Sequence, residues 1–195
     1  MAAARGVFLE CGIQGTTAEV ARRAGVAEGS VFNHFHSKAE LFRVATDPDR
    51  TTDCPQMDIP QLRDHGDPRE SLELFGHAVL TNLRRTLPLM MVRWSNRGAD
   101  AACDPKRRQA FREAARPIAH ALESEMRAGR MRRHDPETAA RVLLGGLYSY
   151  AFGELMLGEG NGSDVRARTY IRNVVQMLWD GLAPNPRGRT ENDKK

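Results

Sequence analysis

Apolar positions recur at three- and four-residue spacing along most of the chain and nowhere alternate for more than a few residues. That pattern predicts an all-α protein. Near the C-terminal end, Ala167, Tyr170, Ile171, Val174, Val175, Leu178 and Leu182 form one sustained helical stripe, widened by Met177 and Trp179. The helix expected after Pro136 is apolar on nearly every side, through Val142, Leu143, Leu144, Leu147, Tyr150, Phe152 and Leu155. A helix apolar all round must be buried all round, and a domain of this size has little interior, so a partner subunit is its expected cover.

Three helix starts share one device: Asp67-Pro68, Asp104-Pro105 and Asp135-Pro136. Asp caps a free backbone N–H, and Pro at the first helical position lacks an N–H that would have no partner there. The helix after Pro105 runs to about residue 128, with Gly129 as its stop and Pro117 predicting a kink or local break. Residues 68–97 read as two helices broken near Pro88. Residues 47–67, polar and rich in Asp and Pro, read as a linker, and residues 184–195 as a disordered tail.

Composition narrows the class. The chain has 195 residues, 28% of them charged, and a formal net charge of +4. Arg supplies 25 of the 29 cations, but no basic tail or patch stands out, so nucleic-acid binding would have to come from placement rather than bulk charge. The longest apolar stretch, Val142 to Gly153, is uncharged for only 12 residues. That is too short to span a membrane, and the N-terminus lacks the apolar core of a signal peptide. Cys11, Cys54 and Cys103 are odd in number and widely spaced, which predicts reduced thiols in a cytoplasmic protein.

The informative segment is residues 16–35, TTAEVARRAGVAEGSVFNHF. Thr17 is the expected N-cap of a short helix, with Val20, Ala21 and Ala24 facing inward. Gly25 allows the left-handed backbone of a tight turn, and Val26 is expected to plug the space between two helices. Glu28 to Phe35 forms the second helix, and Ser37-Lys38-Ala39-Glu40 is a capping box opening a third. Two short helices about a Gly-containing turn make a helix-turn-helix, whose second helix fits the major groove.

The wider pattern is Phe8-x-x-x-Gly12, Thr16-Thr17, Val20-Ala21, Ala24-Gly25-Val26, Gly29-Ser30-x-Phe32-x-His34-Phe35 and Ser37-Lys38-x-x-Leu41. It closely resembles the N-terminal domain of the TetR family of transcriptional regulators. The resemblance covers residues 1 to about 46 and implies an N-terminal three-helix helix-turn-helix domain. It further implies a C-terminal all-helical domain, residues 68–183, that dimerises and binds an effector. Carried over by position, it gives Thr17, His34 and Lys38 as phosphate contacts, and Ala27, Glu28, Gly29 and Asn33 as the base-facing or near-base side. Ser30 replaces the usual Thr and keeps its hydroxyl; Phe32 replaces the usual Tyr and keeps only the ring. Glu28 reads equally as a carboxylate accepting from a cytosine amino group or as a solvent-facing helical Glu. Compared with the family pattern, the first helix begins mid-way, which leaves either an upstream start or a trimmed DNA-binding domain.

Apolar side chains expected to surround the second domain's interior give a candidate effector pocket. They are Phe75, Val79, Leu83, Met90, Met91 and Trp94, with Phe111, Ile118, Leu147 and Phe152 from later helices. Each reads more plainly as a core residue. Arg93, Arg97 and Arg112 are either partners for an acidic ligand or solvated cations. Candidate dimer contacts are Leu143, Leu147, Tyr150, Tyr170, Val174, Met177 and Leu178. His34 and His36, two apart on a helix, point to different faces, and no zinc spacing or nucleophile elbow occurs. No metal, cofactor or enzymatic activity is expected. The reading is a homodimeric regulator, a repressor of a palindromic double-stranded operator released by a largely apolar small molecule. The alternative is a similar dimer that binds ligand or protein but holds DNA weakly because its first helix is short.

Overall fold

The computed structural model describes residues 1–48, 67–96, 115–158 and 164–182, with 109 and 113. Among these residues there are helices and no strands, as the periodicity predicts. The chain forms two compact units: Met1–Gln56 with Asn82–Cys103, and Met57–Thr81 with Asp104–Lys195.

In the first unit, α1 (Ala2–Cys11), a 3-10 turn (Gly12–Gln14), α2 (Thr17–Ala24), α3 (Glu28–His34) and α4 (Lys38–Ala45) follow in order. Helix α1 packs on α2 and α4, and α2 packs on α3. One core serves all four: Ala4, Val7, Phe8, Val20, Ala21, Val31, Leu41, Phe42 and Ala45. Phe8 and Phe42 meet edge to face, with ring centroids 5.1 Å apart, a preferred aromatic geometry. Helix α5 (Pro68–Ser95) is shared between the units, and its Val92 packs against this core.

The N-cap of α2 is Thr16, not Thr17: the Thr16 hydroxyl accepts the Glu19 N–H at 3.1 Å. With two threonines in a row, the one three residues before Glu19 caps the helix. Gly25 takes the left-handed conformation, φ 69°, and Val26 N–H closes the turn on the Ala21 carbonyl at 3.1 Å. Val26 itself is exposed, as is Ala24, so the expected plug is absent. The turn carries the Val26 side chain outward, and Val20, Ala21 and Val31 fill the space instead. Ser37 caps α4 by accepting the Glu40 N–H at 3.1 Å, while the Glu40 carboxylate accepts the His36 N–H at 2.8 Å.

Helix α5 is continuous through Pro88, against the predicted break. Proline removes one backbone bond, but its neighbours Leu87 and Leu89 are each only 1% exposed, and their burial holds the helix together. Ala115 is a turn and helix α6 (Arg116–Arg127) starts just after it with Pro117 in its first turn, where a proline is tolerated, so the expected local break falls at the start of this helix. The chain turns at Gly129, φ 72°, into α7 (Pro136–Leu157) and then α8 (Asp164–Leu182). Asp135 caps α7 by accepting the Thr138 N–H at 2.8 Å, and Asp67 accepts the Arg69 N–H at 2.9 Å. Asp104, the linker 49–66 and the tail lie outside the described residues.

Within the second unit, α7 packs on α6 and α8. Tyr150 and Tyr170 stack with centroids 4.5 Å apart, and the Tyr170 hydroxyl donates to the Gly146 carbonyl at 2.9 Å. No helix among the described residues is long and apolar enough to cross a membrane.

Candidate nucleic-acid interface

Helix α3 is attached to its unit by one face. Val31 is buried and Phe35 half-buried, whereas Glu28, Gly29, Ser30, Phe32, Asn33 and His34 are exposed, Phe32 to 45%. A Cβ added at Gly29 would meet nothing within 4 Å. The expected DNA-contacting residues of the second helix therefore share one open surface, with Ala27 exposed before them and Lys38 half-buried at the start of α4. Phe32 presents part of its apolar ring on this surface beside Asn33.

Charge on this unit is arranged by pairing. Arg23 donates to both carboxylate oxygens of Glu10 at 2.7 Å and to Glu19 at 2.7 Å. Arg22 donates to the same Glu19 at 2.8 and 2.7 Å. Hydrogen bonds from Arg22 and then Arg23 hold the Glu19 carboxyl down to about 2, and Arg23 does the same for Glu10 in direction. These contacts tie α1 to α2. They also engage two arginines of the helix-turn-helix, leaving Lys38 and Arg43 without such a pair among the described residues.

Thr17, expected on a phosphate, donates its hydroxyl to Glu28 Oε1 at 2.6 Å. Sequence reasoning did not anticipate this bridge or the Glu10–Arg23 contact. The only signal for either was a carboxylate and a donor on adjacent helices.

The candidate pocket residues are dispersed. Leu83, Met90, Met91 and Trp94 lie on the part of α5 belonging to the first unit, with Trp94 55% exposed. Phe75, Val79, Ile118 and Leu147 are buried in the second unit, where Phe152 lies at the surface stacked on Tyr148. Arg93 lies 3.8 Å from Asp47. Phe111, Arg97 and Arg112 fall outside the described residues. Among the candidate dimer contacts, Leu143 and Leu147 are enclosed within their own chain. The outward face of α7 is Val142, Gly145, Ser149, Phe152 and Met156. Tyr150 of α7 is half-buried; on α8 Met177 is 75% exposed, while Tyr170, Val174 and Leu178 are half-buried. Among the described residues no cluster of three metal-ligating side chains occurs.

The family of bacterial regulatory proteins named for tetR matches residues 1–45, and the AefR-like transcriptional repressor C-terminal domain matches residues 70–180. The chain belongs to the TetR family of transcriptional regulators. A Mesorhizobium loti protein assigned to the TetR family is similar to it, at TM-score 0.69 and 21% identity over 94% of each chain. FadR of Bacillus subtilis in complex with stearoyl-CoA is similar at TM-score 0.66 and 17% identity, over 92% of this chain and 96% of that one. SmeT, the repressor of the Stenotrophomonas maltophilia multidrug efflux pump SmeDEF, is similar at TM-score 0.63 and 19% identity, over 95% and 89%. At these identities the likeness to solved structures establishes the TetR fold. No curated protein matches the chain.

Proposed function

We propose that this TetR-family chain is a cytoplasmic homodimeric repressor, not an enzyme, that binds a two-fold-symmetric DNA operator and is released by a small apolar effector. The observation that carries the reading is the open outer face of α3, with Phe32 in water and nothing over Gly29. Gly29, Ser30, Phe32 and Asn33 face base edges in the major groove, and His34 and Lys38 hold phosphates, which fix register without reading sequence. Arg22 and Arg23 are paired to carboxylates, and Lys38 and Arg43 supply full cations for the backbone.

A second copy covers the outward faces of α7 and α8, where Val142, Met156, Leu157, Val165 and Met177 are exposed. Two-fold pairing sets two α3 helices against successive half-sites. The effector enters the second unit near Phe75, Val79, Ile118 and Leu147. The stearoyl-CoA held by the B. subtilis relative and the efflux-pump repression by SmeT support an apolar compound. Linkage requires that DNA weaken effector binding by the factor by which effector weakens DNA binding.

Selection of binding sites from a randomised duplex library by the full chain tests the reading. A palindromic site is expected. Recovery of unselected sequence overturns the operator.

A further inference from the structure

The Thr17–Glu28 bridge changes the part each residue plays. Thr17 has a single hydroxyl proton, and at 2.6 Å it is engaged by Glu28 Oε1. A phosphate oxygen accepts hydrogen bonds and gives none, so in this arrangement the Thr17 side chain has nothing to donate to it. Glu28 opens α3, one turn before Phe32 and three positions before the buried Val31. It thus stands at the border of the α3 face that looks toward α2. Its second oxygen, Oε2, has no hydrogen-bond or ion-pair partner among the described residues, and the Gly29 beside it leaves open space.

We propose that Glu28 is a base-reading residue of α3, specific for the N4 amino group of cytosine, and that Thr17 is its positioning residue rather than a phosphate contact. This inference rests on the DNA-binding reading above and deepens it. An ionised carboxylate only accepts. In the major groove, cytosine offers an amino donor, whereas the amino group of adenine sits beside the N7 acceptor, which a carboxylate oxygen repels. Guanine and thymine present acceptors on their own major-groove edges, so a carboxylate there disfavours them. The Thr17 hydroxyl fixes one oxygen, which reduces the freedom of an exposed side chain and leaves the other open to a donor.

The test compares base preferences selected from a randomised duplex library by the full-length chain and its Glu28→Gln, Thr17→Val and Thr17→Ser variants. The wild type selects cytosine at one position of each half-site. Glu28→Gln lowers that preference by about tenfold, at that position and no other. Thr17→Val loosens the same position, and Thr17→Ser, which restores the hydroxyl, restores the preference. The proposal is overturned if Thr17→Val weakens all duplexes uniformly and reduces the salt slope by about 1, the signature of a lost phosphate contact. It is equally overturned if Glu28→Gln selects the wild-type site unchanged. A wild type that selects no site overturns the DNA-binding reading itself, and this inference with it.

Discussion

The side-chain carbonyl of Asn96, just past the end of α5, accepts the backbone N–H of Ile13 at 3.3 Å, although 83 positions separate them. The Asn96 amide in turn donates to the Val92 carbonyl at 2.7 Å. One side chain therefore ends α5 and holds the short turn between α1 and α2, where Gly12 comes close to it. Asn96→Ala leaves a half-buried N–H without its partner and is expected to cost about 1 kcal/mol. Asn96→Asp does not rescue it, since its second oxygen faces the Val92 carbonyl. Urea unfolding curves check this, and an unchanged midpoint for the Ala variant contradicts it.

Glu19 gives the molecule a defined acid response. Its carboxyl is held at about 2 against an ordinary 4.5 by hydrogen bonds from Arg22 and Arg23. A lowered folded value means that the contribution is complete above about pH 4.5, fades as the pH falls through that window, and is gone below about pH 2. Because the group is only half-buried, the effect is modest and weakens with salt. Melting temperatures of wild type and Glu19→Gln should differ at pH 7 and converge as the pH falls from 4.5. A gap that widens in acid contradicts this assignment.

Gly76 on α5 lies under Ile171 of α8, whose Cγ2 would stand 2.8 Å from an added Cβ. Ile171 is fully buried and has nowhere to retreat. Gly76→Ala gains up to about 1 kcal/mol of helix propensity but overpacks the contact by about 1–3 kcal/mol, so a net loss of stability is expected. A variant that melts higher than the wild type contradicts this packing.

Met177, 75% exposed on α8, separates association from folding. In a lone chain, Met177→Glu should change stability by no more than about 0.5 kcal/mol. If a second copy covers this face, the same charge is buried without a partner, and sedimentation should show a shift from dimer to monomer. Unchanged mass at the same concentration removes Met177 from the interface.

The helix-turn-helix was legible because its signals are local. A cap, a Gly turn and helical spacing all fall within Thr16 to Phe35, and the Ser37 cap follows directly. Contacts between helices were not. Glu10 meets Arg23 only because α1 crosses α2, and Thr17 meets Glu28 only because α2 packs on α3. Pro88 suggested a break because local propensity favours one, yet burial of its neighbours prevails. Helix α7 shows a further limit. When nearly every side is apolar, periodicity does not say which face its own chain takes. Leu143 and Leu147 turned inward while Val142 and Met156 stayed outside.

DNA reading by the exposed face of α3 is open to a single binding experiment. Its most direct test is a fluorescence-anisotropy titration of the full chain against the library-selected duplex and a scrambled duplex of equal length, at two salt concentrations. Clear preference for the selected duplex is expected, with affinity that falls steeply with salt, as several phosphate contacts require. Equal affinity for both duplexes with little salt dependence would contradict it.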